Sequence, residues 1–126
     1  MAVYDTRVAA AALDLPEAWV SSLLTRFAIA GVERGRQGFR RRLSAEAVVC
    51  IALAHSLVTD LGVTGEAAVS LAHELVRSKG APLSRGAGLL TLTFDAVASR
   101  QRIRAALDAA VVRDTEVRRG RPRIRR

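Results

Sequence analysis

The chain has 126 residues and a formal net charge of +8, and half of its residues are apolar. This length and apolar content allow one domain, or a small domain with an appendage, and exclude wholesale disorder. The apolar run Ala47–Ala54 is too short to cross a bilayer. A single cysteine, Cys50, excludes an intrachain disulfide and disfavours a cysteine zinc site. We therefore expect a cytoplasmic protein with no membrane segment, metal or cofactor.

The positive charge is confined to two short segments. Residues 34–42 sum to +5 and residues 100–126 to +7, whereas residues 1–33 and 43–99 each sum to −2. A surface that is charged only for solubility intersperses both signs. Clustered arginine instead predicts a polyanionic partner, because neutralising phosphates releases counterions and drives association.

Two short helices are predicted near the N-terminus. The first covers Val8–Leu13 and is capped by Asp5 or Thr6. After a break at Pro16, the second runs to about Ile29. Its apolar stripe comprises Trp19 or Val20, Leu23, Leu24 and Phe27.

Two helices joined by a tight turn are typical of a helix-turn-helix, in which the second helix reads the DNA. The outward side chains of this helix are small and polar, with one arginine. We predict that they contact double-stranded DNA; they are Glu17, Ser21, Ser22, Thr25 and Arg26.

The segment Glu33–Arg42 follows, with the sequence ERGRQGFRRR. Its glycines and basic residues predict a two-stranded wing, which Phe39 holds against the core. A solvated basic loop is the alternative. The outward arginines, predicted to contact DNA, are Arg34, Arg36, Arg40, Arg41 and Arg42.

Two longer helices are predicted next. Ser44 caps a helix that runs from Ala45 to about Leu61 and is apolar nearly all round, as expected of a central helix. Thr64 caps another helix from Gly65 to about Ser78. The segment Lys79–Gly88, rich in glycine, is predicted to be a loop.

A strand and a last helix complete the predicted fold. Leu89–Phe94 alternates like a strand, with Leu90, Leu92 and Phe94 on one side, and Asp95 caps a helix to about Val112. The strand must pair with the wing, with the N-terminal Val3–Tyr4, or with another copy, which would make a homodimer through residues 89–112.

The C-terminal arginines form the second basic cluster. The sequence Arg119-Gly120-Arg121-Pro122 matches the core of an AT-hook-like motif, which lies in a narrow A·T minor groove. A plain polybasic tail is the alternative. The tail arginines predicted to contact DNA are Arg118, Arg119, Arg121, Arg123, Arg125 and Arg126.

Five short landmarks occur in order along residues 4–76. They are Tyr4 with Val8, Ala9, Leu13 and Leu15; Gly31-Val32; Gly38-Phe39-Arg40; Ser44-Ala45-Glu46; and Leu61-Gly62-Val63-Thr64. Their order and spacing resemble the DNA-binding domain of the MerR family. The resemblance implies a winged helix-turn-helix that binds DNA through its second helix and wing.

The chain also departs from that family. About Val20 to Leu23 the sequence is Val-Ser-Ser-Leu, without the arginine of the family's Leu-Arg-Tyr-Tyr/Trp segment, so the family's DNA contacts transfer better to the wing. The long dimerisation helix and the effector-binding cysteines are also missing. The resemblance therefore implies a reduced or divergent member without an effector domain.

These patterns predict a mainly α fold: a winged helix-turn-helix with four helices and a short β wing, followed by a strand and a C-terminal helix. Residues 1–80 form the DNA-binding domain, residues 81–112 a packing or dimerisation extension, and residues 113–126 a disordered basic tail. We expect a transcriptional regulator and no enzyme, since no catalytic motif is present. The alternatives are an architectural or recombination-accessory DNA-binding protein and a protein–protein interaction module.

Overall fold

The computed structural model describes residues 2–33 and 41–120, with side chains up to residue 116. Within these ranges the fold is mainly helical, as predicted. The helices are α1 (Thr6–Leu13), α2 (Glu17–Arg26), α3 (Ala45–Leu61), α4 (Gly65–Ser78) and α5 (Ala96–Gly120). The strands are β1 (Val3–Tyr4), β2 (Val32–Glu33), β3 (Arg42–Ser44), β4 (Leu83–Arg85) and β5 (Leu90–Leu92).

Side-chain caps start four of the helices at residues that the sequence predicted. The carboxylate of Asp95 accepts a hydrogen bond from the N–H of Ala98 and caps α5. The carboxylate of Asp5 accepts a hydrogen bond from the N–H of Val8, so Asp5 rather than Thr6 caps α1. The hydroxyls of Ser44 and Thr64 cap α3 and α4 in the same way. Each cap satisfies an N–H group that has no partner within its own helix.

The predicted end of α2 near Ile29 is wrong, because the helix stops at Arg26. Phe27 leaves it in an extended conformation, and the chain then turns so that Ile29 is buried in the core. Apolar spacing had suggested that the helix continued, but Ile29 reaches the core from the turn.

Three short strands form a sheet beside the helices, in the order β1-β3-β2. Both pairs are antiparallel, and Leu43 of β3 lies opposite Tyr4 on one side and Val32 on the other. Leu43 is fully buried. β2 and β3 thus pair at the base of the segment predicted as a wing, whose residues 34–40, including Arg34, Arg36, Arg40 and Phe39, lie outside the described residues.

The core is centred on α3, as its apolar sequence predicted. Ile51 and Ala54 are fully buried between the other helices, and Leu107 of α5 joins the same cluster. Burial raises the pKa of the Cys50 thiol to about 11, so this side chain stays protonated and acts as a packing group.

α5 extends beyond its predicted end at Val112 to Gly120, so residues 113–120 are helical rather than disordered. This helix packs along α1 and α3. Asp114 forms an ion pair with Arg7 of α1. This contact supports the additional turns, which local propensity alone did not predict.

A β hairpin replaces the predicted loop Lys79–Gly88. β4 pairs with β5, with Leu83 opposite Leu92 and Arg85 opposite Leu90. Among the described residues, the strand predicted at Leu89–Phe94 thus pairs with neither the wing segment nor Val3–Tyr4. The sequence Leu-Ser-Arg is too short to show strand alternation, and an ion pair between Arg85 and Glu74 of α4 holds it in place.

Gly31 lies in the turn that leads to β2, and a side chain there should destabilise the protein. Gly31 and Gly62 both have positive φ, but a Cβ at Gly31 would collide with the Ser44 hydroxyl, whereas Gly62 faces open space. We expect Gly62→Ala to lower the free energy of unfolding by about 1 kcal/mol. We expect Gly31→Ala to lower it by about 2–3 kcal/mol, because it also disturbs the α3 cap. Equal losses in urea denaturation would contradict this account.

Candidate nucleic-acid interface

The outer face of α2 carries the side chains that the sequence predicted to face a ligand. Val20, Leu23 and Leu24 are buried and fix the rotation of this helix against the core. The opposite face is therefore directed to solvent. Its exposed members are Glu17, Ser22, Thr25 and Arg26, and Ser21 is partly buried.

A hydrogen bond connects this helix to the base of the wing segment. The Nη2 atom of Arg41 donates to Oγ1 of Thr25 at 2.8 Å, and that hydroxyl donates to the carbonyl oxygen of Ser21 at 2.9 Å. Arg41 immediately precedes β3, whereas Thr25 lies in the last turn of α2. Two of the predicted site residues, sixteen positions apart in the chain, therefore lie on one surface.

The turn between α2 and β2 is held by two further hydrogen bonds. The N–H of Ser44 donates to the carbonyl oxygen of Gly31 at 3.0 Å. The N–H of Ala30 donates to Nε2 of His73 in α4 at 3.1 Å, which assigns the ring proton to Nδ1. His73 is thus a positioning residue for this surface. No sequence pattern signals this role, since Ala30 and His73 come together only in the folded chain.

The arginines of this surface form no ion pair within the described part of the chain, a property that they share with Arg77, Arg102, Arg104 and Arg113. Arg7, Arg85 and Arg100 form ion pairs with carboxylates of the fold. No carboxylate pairs with the described arginines of the interface, which are Arg26, Arg41 and Arg42. Their guanidinium groups keep donors available to an external anion, and arginine binds phosphate in a planar, two-pronged geometry.

Arg26 and Arg42 each follow one partner of the Arg41–Thr25 contact in the chain, and both are exposed. The guanidinium carbon of Arg26 lies 5.6 Å from the centre of the Phe27 ring, which limits the conformations of this side chain. Arg42 lies opposite Glu33 in the pairing of β2 with β3. Arg41 contacts the last turn of α2, and Arg26 belongs to that turn.

The last turns of α5 contact the start of α1. Leu43 pairs with Tyr4, the chain continues into α1, and Arg7 there contacts Asp114. The start of α1 thus lies between β3 and the last turns of α5. Deleting residues 113–126 to test the tail would therefore remove an ion pair of the fold as well as the arginines.

The predicted AT-hook core is not extended over its first half. Arg119 and Gly120 belong to α5, whereas an AT-hook core lies extended along the groove. The side chains of Arg118 and Arg119, and all of Arg121, Pro122, Arg123, Arg125 and Arg126, lie outside the described residues.

The remaining polar residues do not form a second chemical centre. Across residues 2–33 and 41–116, no three His, Cys, Asp or Glu side chains come together as a metal site would require. The His55 ring packs edge-on against Trp19, with centroids 4.9 Å apart. No helix among the described residues has the length and apolarity needed to span a membrane.

Comparison with known proteins gives no family assignment. No protein-family model matches the chain, and neither the curated proteins nor the solved structures include a significant match.

The Arg41–Thr25 contact should be measurable as a coupling in stability. In a double-mutant cycle of Arg41→Ala and Thr25→Val, we expect a coupling of about 0.5–1 kcal/mol in the free energy of unfolding, because each single change removes the same hydrogen bond. Arg42→Ala with Thr25→Val is the matched control and should be additive. Additivity in the Arg41 cycle would show that the contact does not join α2 to the wing segment in solution.

Proposed function

We propose that the protein binds double-stranded DNA through the outer face of α2 and the adjoining basic segment 34–42, and that it acts as a transcriptional regulator. The observation that carries this proposal is the hydrogen bond from Arg41 to Thr25, which supports one continuous surface for both elements. Five of the chain's arginines fall within residues 34–42. So many like charges repel one another unless an anion lies nearby, and a phosphate backbone supplies one.

Phosphate contacts would provide most of the affinity. If this surface and the C-terminal arginines together contact six to ten phosphates, affinity should fall about 10³–10⁵-fold between 50 and 200 mM salt. Base contacts would add about 1–3 kcal/mol for each well-placed pair. α2 offers few groups for such pairs, so shape and deformability of the duplex would carry much of the specificity.

Thr25 acts within this proposal as a positioning residue. Its one hydroxyl proton is donated to the Ser21 carbonyl, and its oxygen accepts from Arg41. Ser22 and Arg26, which are exposed on the same face, are the stronger candidates for contact with base edges.

The MerR-like resemblance remains part of the proposal. The order of the five landmarks in residues 4–76 supports a winged helix-turn-helix relative, and the antiparallel pairing of β2 with β3 is compatible with a wing between them. In this proposal the chain is a reduced member without an effector domain.

An architectural or recombination-accessory DNA-binding role is the second candidate. The small polar face of α2 and the internal use of the Thr25 hydroxyl favour it, because both reduce direct reading of bases. Selecting the best-bound duplex from a random pool separates the two roles. An affinity for that duplex several hundredfold above random sequence supports a regulator, whereas a ratio near one supports an architectural protein.

Neutralising the interface arginines should weaken DNA binding in a salt-dependent manner. For the double variant Arg41→Gln/Arg42→Gln we expect roughly tenfold or greater loss of affinity. The slope of log K against log salt should also fall in magnitude by about 1.8, since each lost phosphate contact removes about 0.9. Fluorescence anisotropy with a labelled duplex measures both quantities.

The matched control is Arg102→Gln, which removes an exposed arginine of α5 that lies beside Ala12 and Ser56. This variant should bind DNA like the wild type. If the control and the double variant lose the same affinity, or if the wild-type chain does not bind duplex at low salt, the proposal fails.

A further inference from the structure

We propose that β5 is the self-association edge of this protein, and that two copies pair antiparallel through it, with Thr91 of one copy opposite Thr91 of the other. This inference gives a specific geometry to the homodimer expected through residues 89–112. It does not depend on DNA binding and is tested without DNA.

The two edges of the β4–β5 hairpin are unequal. Pro82 precedes β4, and Arg85 at its end is held by Glu74 of α4. Proline and charge are the usual features that prevent an edge strand from pairing with another chain. β5 has neither, since its sequence is Leu-Thr-Leu.

The outer side of β5 has no partner among the described residues. Outside the hairpin, no backbone hydrogen bond within the described part of the chain involves residues 90–92. The side chains of Leu89 and Leu90 are 89% and 63% exposed. A two-stranded hairpin is marginally stable by itself, so an added strand would satisfy its backbone and cover these leucines.

A cavity lies at the other end of the same strand. It has a volume of about 430 Å³ and is bounded by Leu92, Thr93 and Phe94 on one side and by the last turns of α3, including Leu57 and Leu61, on the other. Leu61 is 62% exposed, so this end of the groove is open to a neighbouring molecule. β4 contacts α4, and the cavity separates β5 from the end of α3.

Antiparallel pairing of two identical strands brings these two ends together. With Thr91 at the two-fold axis, Leu90 of each copy lies opposite Leu92 of the other, on the same face of the sheet. The exposed leucine of one copy therefore meets the wall of the cavity in the other, twice in one interface. A two-fold interface requires this self-complementarity, and neutral leucine and threonine pairs create no charge repulsion.

The interface is small, so we expect a reversible dimer with a dissociation constant in the micromolar range. Sedimentation velocity over a micromolar concentration series should show conversion of monomer to dimer. Leu90→Glu should weaken association at least about tenfold, because it places two carboxylates against an apolar surface. Leu90 is exposed in the single chain, so the fold should survive, as circular dichroism can verify.

Val97→Glu is the matched control, since Val97 is 68% exposed but lies outside β5. This variant should associate like the wild type. The register is tested by Thr91→Cys, which should form an intermolecular disulfide on oxidation, because Cα atoms in antiparallel pairs lie about 4.5–5.5 Å apart. Val97→Cys should not cross-link.

Three results would overturn the proposal: a monomer at every concentration, association that Leu90→Glu leaves unchanged, or equal cross-linking through residues 91 and 97. Failure here is distinguishable from failure of the DNA-binding proposal, because Arg41→Gln/Arg42→Gln should sediment like the wild type. DNA binding by a strictly monomeric chain would overturn only the dimer.

Discussion

β3 and the residue before it connect the elements on which the proposed function depends. Leu43 is fully buried and pairs with Tyr4 and Val32, so it joins the N-terminus and the end of the α2 turn to one sheet. Ser44 caps α3, the central helix, and Arg41 reaches Thr25 of α2. Leu43 thus serves the core, Ser44 a helix cap and Arg41 the candidate interface. Packing therefore fixes the position of the chain where the wing segment joins β3. A solvent-exposed arginine loop alone would have no such constraint.

Electrostatics explains why this arrangement favours an external anion. Three described arginines are neutralised by carboxylates of the fold, as Arg7 is by Asp114 and Arg100 by Glu46. Those at the end of α2 and the start of β3 are not, although Glu33 is a cross-strand neighbour of Arg42. Keeping unpaired guanidinium groups close together costs free energy, which a phosphate backbone would recover on binding.

The sequence predicted the parts of the fold that depend on local signals. Caps at Ser44 and Thr64, and the apolar continuity of α3, predicted two helices with their observed bounds. Features set by pairing and packing between elements were missed. β4 depends on pairing with β5, and the extra turns of α5 pack against α1. The same holds for the candidate site. Residue types and clustering indicated Thr25 and Arg41 separately. Their hydrogen bond, and the contact of His73 with Ala30, join residues that are distant in the chain and could not be predicted from local patterns.

The central claim is that α2 and the wing base form one DNA-binding surface. It is tested most directly by NMR of the isotope-labelled full chain during titration with duplex DNA at low ionic strength, following the backbone amides and the arginine Nε–H groups. We expect the resonances of Ser22, Arg26, Arg41 and Arg42 to shift together along one binding curve, while those of Arg85 and Arg100 stay in place. Shifts confined to the β4–β5 hairpin and α4, or none at saturating duplex, would contradict the account.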